Sequence, residues 1–374
     1  MFPLGVAFTH PYPLTVLGCC PTRPASRDCL PRPSGSPCCQ MSKVVLLLPL
    51  VVLLPVLSQA STNKPTATAD SAPLKEPRTL KGSLLPAVKN GGFRMDDFIL
   101  WCPSVIKVGV TFHMFASRWP AQYGLAGWTS HSECVRATST NLLGPYTFQE
   151  VVLQKRPDNW DNSRVHNVKI VKAGSKYVLY HINSANQTGY AVADSITGPW
   201  TRLDHYVMKV SNPAPLVRPD SSIYCFGRLR DSEGVNRGIA FTAPSYEGPY
   251  KLVANGDNLL PNNYELEDPT VWWAHDQYNL LVNDWKGKAT GLSKGGAQYF
   301  SKDGVHYQLM SAEPVFTKTV LYDDKSSETF SRRERPFIYA NEKEEVVAFF
   351  TACLPKEGPA RIVVQPVDRY VPGN

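Results

Sequence analysis

From about Phe93 to the C-terminus, short apolar runs alternate with turn residues in a pattern that returns five times. Each copy opens on a short polar pair, followed by Pro or Val, an apolar run, a turn and an aromatic-rich strand. The first is Trp101-Cys102-Pro103-Ser104-Val105-Ile106, with a turn at Gly109 and then Phe112-His113-Met114-Phe115. The later openings are His166-Asn167-Val168, Ser211-Asn212-Pro213, Glu267-Asp268-Pro269 and Glu334-Arg335-Pro336. A small-residue strand and a Gly-Pro turn close the first three copies, at Gly144-Pro145, Gly198-Pro199 and Gly248-Pro249. The fourth uses the looser Asp303-Gly304. Runs of this length bounded by Gly, Pro and Asp read as strands and turns. Counting hairpin, strand, turn and strand gives four short antiparallel strands per copy, the content of a β-propeller blade. The fold predicted is therefore all-β, a five-bladed β-propeller over residues 93–374. The fifth copy offers three strands, and Phe93–Leu100 is expected to supply the fourth, latching the ring and removing exposed edges.

The first ninety residues follow another pattern. Residues 1–40 hold eight Pro and five of the nine Cys, with no strand or helix period, and are expected to be a non-native or dispensable extension. Lys43, the apolar run Val44–Leu57 and the small residues Ser58 and Ala60 make residues 41–60 a secretory signal peptide, with cleavage after Ala60. This run of fourteen residues, Pro49 and Pro55 included, falls short of the ~20 that span a bilayer, so no stable membrane anchor is expected. Residues 61–92 read as a flexible linker. The expected protein is secreted and monomeric, with one N-glycosylation sequon at Asn186-Gln187-Thr188. Cys102, Cys134, Cys225 and Cys353 could pair there, in any of three connectivities. Removing residues 1–60 leaves 35 basic against 31 acidic residues. A balance of +4 without basic clusters excludes a nucleic-acid partner.

In a propeller the innermost strand of each blade runs along the central channel, so residues remote in sequence converge at one funnel. The five openings bring together two Glu, an Asp, a His and an Arg, which suits a hydroxyl-rich ligand. Paired carboxylates across such a depression also suit cleavage of a glycosidic bond, one protonating the leaving oxygen and the other acting as base or nucleophile. Trp119 and Trp160, in polar loops, could stack on sugar faces. Arg228 could clamp a carboxylate or sulfate on an acidic sugar, and Asp284 follows the second strand of the fourth blade closely enough to reach the funnel. The sequence contains no metal-type Cys/His spacing, phosphate loop or Gly-x-Ser-x-Gly elbow.

Several of these segments, with His113–Pro120 and Gly144–Leu153, resemble a group of five-bladed glycoside-hydrolase-like proteins. That group is similar to the family 43 arabinanases and xylosidases, the family 32 invertases and the family 117 anhydrogalactosidases. The resemblance covers roughly Phe93 to Cys353 and implies a carbohydrate ligand and hydrolysis by paired carboxylates. The family 43 general base falls on Cys102 and its pKa-tuning Asp on Asn167, while Glu267 matches the general acid. Cys is no substitute for a carboxylate base and Asn cannot ionise. The second carboxylate is thus expected from Asp97, Asp161, Asp268 or Glu334, with His166, Asn167, Asn212 and Arg335 positioning the sugar. Related families use a channel His as an acid or near a bound ion, so a channel ion such as calcium is the one cofactor left open. The alternatives are a sugar-binding propeller without turnover and a secreted interaction scaffold.

Overall fold

The computed structural model describes residues 79–368 and residue 370. The extension, the signal peptide and most of the linker lie outside the described residues. Blade one is Phe98–Val108 (β1), Thr111–Pro120 (β2), Glu133–Ser139 (β3) and Thr147–Leu153 (β4). Blade two is His166–Ala173 (β5), Lys176–Ile182 (β6), Thr188–Ala193 (β7) and Thr201–Arg202 (β8). Blade three is Ser211–Val217 (β9), Ile223–Arg230 (β10), Asn236–Ala243 (β11) and Lys251–Leu252 (β12). Blade four is Leu266–Ala274 (β13), Gln277–Asp284 (β14), Gly296–Ser301 (β15) and Gln308–Leu309 (β16). A hairpin of Thr319–Leu321 (β17) and Ser327–Thr329 (β18) precedes blade five, which is Arg332–Ala340 (β19), Val346–Leu354 (β20) and Arg361–Pro366 (β21). Every blade is an antiparallel meander in chain order, and the first strands β1, β5, β9, β13 and β19 contact one another in turn around the axis. The five-bladed β-propeller expected from the repeats is the fold observed.

The core lies between blades. Trp101, Met114 and Val135 of blade one pack on Phe350, Ile362 and Val364 of blade five. Phe115 and Leu153 meet Val168 and Leu179 of blade two, and Tyr180 and Tyr190 meet Ile223 and Ile239 of blade three. Phe226 and Ala240 meet Leu280 and Tyr299, and Trp272 and Leu281 meet Ile338 and Phe349. Middle strands such as β2 and β14 are therefore buried on both faces, which is why they read as apolar runs and not as strict alternations.

The ring is closed, though mostly by a stretch upstream of the Phe93–Leu100 segment expected, the two sharing only Phe93. Phe98–Leu100 belongs to β1. The outer partner of β21 is the stretch 84–93, where Leu85 N donates to Pro366 O at 2.9 Å and Phe93 and Ile362 exchange bonds of 3.1 and 2.9 Å. Ala87 N also donates to Leu321 O at 2.8 Å, so the β17–β18 hairpin clasps the same stretch. Residues 79–92 are thus packed and do not form a linker: Leu80 and Ala87 have no exposed surface. An outer strand needs one hydrogen-bonded edge and little apolar content, so its composition resembles that of a linker. Deleting residues 79–90 is expected to cost about 3 kcal/mol or more from lost burial and backbone bonds. An unchanged melting temperature would show that the ring closes without them.

Candidate functional site

The five openings share one backbone device. In each, two residues of the first strand face one residue of the second: the register steps from Trp101–Ser117 to Ser104–Phe115, and equivalently in the other four blades. This is a β-bulge whose first residue takes left-handed backbone. Those residues are Cys102, Asn167, Asn212, Asp268 and Arg335, with φ of 56°, 54°, 51°, 55° and 60°. Asn and Asp adopt that conformation readily, while Cys and Arg do so at a strain of order 1–3 kcal/mol. Pro103, Pro213, Pro269 and Pro336 take the next, unpaired position, where a missing N–H breaks no ladder bond.

The bulge separates the two opening residues by role. The first of each pair, Trp101, His166, Ser211, Glu267 and Glu334, lines a funnel of about 170 Å³. The second of each pair forms a ring at its neck, where Asn167, Asn212, Asp268 and Arg335 also border the funnel and Cys102 does not. In that ring the Cys102 thiol donates to Asn167 Oδ1 at 3.1 Å, and Asn167 Nδ2 donates to Asn212 Oδ1. Asn212 Nδ2 then reaches Glu267 Oε2 at 2.8 Å and Asp268 Oδ1 at 3.0 Å. Arg335 closes the ring on Asp268 with an Nη1 contact of 2.6 Å and its own backbone N–H at 3.2 Å.

Glu267 is the carboxyl most altered by this setting. Burial lifts its pKa to about 7 and the neighbouring Asp268 charge adds to the rise, against the opposing pull of Arg228, 3.1 Å away. Glu334 Oε1 meets Lys294 Nζ at 3.2 Å and Arg332 Nη1 at 3.3 Å. Asp268 is saturated by Arg335, Asn212 and Asn283, the last at 2.8 Å. Burial pushes its carboxyl upward and Arg335 opposes that. His166 is held neutral by burial and by the charges of Arg335 and Arg164. Ser132 Oγ gives its hydrogen to Val165 O, so it accepts from His166 Nδ1 at 2.9 Å. The other ring nitrogen, Nε2, is therefore an acceptor, 3.8 Å from the Cys102 sulfur.

Other expected site residues lie elsewhere. Asp161 is fully buried behind the loop entering blade two, against Arg156 at 2.9 Å, Arg202 at 2.9 Å and His181 at 3.4 Å. Burial alone would raise its pKa, but hydrogen bonds from His181 and Arg156 hold it at about 2. It is a loop anchor and not a funnel carboxylate. Trp160 stacks on His181 and donates to Leu203 O at 3.0 Å, away from the funnel lining. Asp97 also lies outside the lining. Asp284 accepts from Ala289 N, Thr290 N and Thr290 Oγ1 at 2.8–3.0 Å. It shapes the loop that brings Trp285 to the funnel wall and Lys294 to Glu334. Trp119 lies at the funnel, its indole N–H bound to Gly124 O at 2.9 Å and its ring against His166. Arg228, Asn167, Asn212 and Arg335 line the funnel. Asn186 of the sequon is exposed and stands at the funnel rim.

Sequence reasoning missed Arg164, Lys169, Lys294 and Arg332. Lys169 points into the channel beneath the ring, where its Nζ reaches Pro103 O at 3.4 Å and burial pulls its pKa down to about 8. A channel cation does not fit this neck, since Lys169 and Arg335 already place two positive charges against Asp268. Among the described residues no group of three or more His, Cys, Asp or Glu could hold a metal. The four described cysteines are buried and unpaired, so none of the three connectivities is formed.

Solved structures of similar shape are glycoside hydrolases. One, BT0996 in a complex with RGII, matches at 13% identity over 78% of this chain and 94% of its own, with a TM-score of 0.60. Zg3597, a family 117 glycoside hydrolase from the marine bacterium Zobellia galactanivorans, matches at 15% identity over 76% and 89%, with a TM-score of 0.54. CoXyl43, a family 43 β-xylosidase/α-arabinofuranosidase from a compost metagenome solved with xylotriose, matches at 13% identity over 75% and 95%, with a TM-score of 0.55. No family model matches the sequence, and no curated protein does. The chain therefore has the five-bladed propeller fold found in families 43 and 117 of the glycoside hydrolases.

Proposed function

We propose that this protein is a secreted, monomeric glycoside hydrolase that cleaves a glycosidic bond at the funnel, with Glu267 as general acid and Glu334 as the second carboxylate. The observation that carries this reading is the pair of glutamates at equivalent funnel-facing positions of adjacent blades, one with its pKa lifted to about 7. A carboxyl poised near neutrality can hold the proton that the leaving oxygen needs, while a cation-flanked carboxylate serves as base or nucleophile. Asp268 is excluded from that second role because its donors occupy both oxygens. Trp128 and Trp285, half-buried in the lining, supply the faces on which a sugar ring would stack, while Trp119, expected to do so, is fully buried and offers none. The carbohydrate complexes of similarly folded proteins support a carbohydrate ligand. The test is release of free sugar from a panel of pyranosyl and furanosyl glycosides by the purified protein. No release from any member would end the hydrolase reading.

Sugar binding without turnover is the second reading, favoured by Cys102 at the position where related enzymes place their base. The structure makes that position one of the neck: Cys102 is 1% exposed, its thiol is engaged by Asn167 and burial raises its pKa. Cys102→Ser is accordingly expected to leave turnover unchanged. A large loss in kcat would bring the thiol into the chemistry.

A further inference from the structure

The charges around the funnel do not balance. Its lining carries three carboxylates, Glu267, Asp268 and Glu334, and three guanidinium groups, Arg228, Arg332 and Arg335. Two further cations stand against lining residues, Lys294 on Glu334 and Arg164 on Trp128. Arg164 is the unusual one. It is 5% exposed, its guanidinium carbon lies 4.2 Å from the centre of the Trp128 ring, and its Nε has no hydrogen-bond partner among the described residues. The neighbouring charge that acts on it is Arg335, which repels it and, after burial itself, lowers its pKa to about 10. Arg335 Nε is likewise without a hydrogen-bond partner among the described residues. A guanidinium removed from water without a countercharge is strongly disfavoured, and a neutral ligand would leave it so. Trp128 belongs to the funnel lining and also touches His166, so Arg164, which is not itself a lining residue, lies against the ring that borders the space a ligand would occupy.

We infer that the funnel is built for an acidic glycan, in which a sugar bearing a carboxylate or sulfate sits beside Trp128 with Arg164 and Arg335 as its countercharges. The inference deepens the carbohydrate reading and rests on it. Arg is suited to the task because its planar fork matches carboxylate and sulfate oxygens in pairs. The anion would complete the balance that the protein leaves open, and the rest of the sugar would reach toward Glu267.

Calorimetric titration of the full chain with uronic-acid oligosaccharides, sulfated oligosaccharides and their carboxyl-reduced or desulfated counterparts tests this. Acidic members are expected to bind roughly 10- to 100-fold more tightly than their neutral counterparts. The advantage should vanish in Arg164→Met, which keeps an apolar stem on Trp128. Whichever acidic class binds identifies the group recognised. Equal affinity for acidic and neutral members would overturn the inference while leaving the carbohydrate reading intact, and a preference that survives Arg164→Met would also overturn it. Binding of no glycan would instead sink the carbohydrate reading. Sulfate ion then decides: a sulfate-dependent rise in Tm in the wild type but not in Arg164→Met upholds the anion site, and no rise refutes it. Arg164→Met removes an uncompensated buried charge, so it is expected to melt no lower than the wild type in the absence of anion.

Discussion

Glu267→Gln is expected to lower kcat by roughly 10²- to 10⁴-fold while leaving glycan affinity close to that of the wild type, because the amide keeps the carboxyl's shape and loses only its proton. The wild-type pH profile gives the same reading independently. A general acid must be protonated, and burial together with the Asp268 charge lifts the Glu267 carboxyl to about 7 against the pull of Arg228. Activity should therefore hold below about pH 7 and fall about tenfold per pH unit above it. Arg228→Met removes a charge that opposes protonation, so it should move this basic limb to higher pH. A limb that stays in place in that variant, or a Glu267→Gln enzyme with unchanged kcat, would assign the proton to another group.

Arg335→Met carries the largest expected effect on stability. It leaves the Asp268 carboxylate buried at the neck with its cation removed, a change that typically costs 3–5 kcal/mol. Adding Asp268→Asn removes the stranded charge, and the double variant should recover much of the loss. Urea unfolding of the wild type, both single variants and the double variant measures the coupling. Additive effects of the two substitutions would mean that the ion pair does not hold the neck together.

Much of the architecture was legible because a propeller blade repeats its turn chemistry as well as its apolar runs. The Gly-Pro and Asp-Gly turns marked four blades, and the polar openings marked the channel. Which member of each opening pair faces the funnel was not legible, because a bulge is a property of strand register and the apolar pattern on either side of it is unchanged. The family's base position therefore mapped onto Cys102, a neck residue, while Glu334 occupied the funnel one position earlier in its own pair. Asp161 misled for another reason. A carboxylate in a polar loop looks the same whether it faces a cavity or is captured by Arg156 and Arg202, the latter 41 residues away in sequence. Arg164 and Lys169 escaped notice because they flank an opening pair without belonging to it, and their burial is set by neighbouring blades.

The five bulges have an evolutionary consequence. Each presents the first side chain of its pair to the cavity from a backbone whose geometry its neighbours in the ring already fix. The occupants, Trp101, His166, Ser211, Glu267 and Glu334, differ in size, charge and polarity, yet their backbones are nearly superimposable in φ at the following residue. The propeller thus works as a holder with five interchangeable sockets. A new ligand preference requires exchange of an occupant and no change in the frame, so ligand range can drift faster than fold, as identities of 13–15% between this chain and glycoside hydrolases of the same fold illustrate.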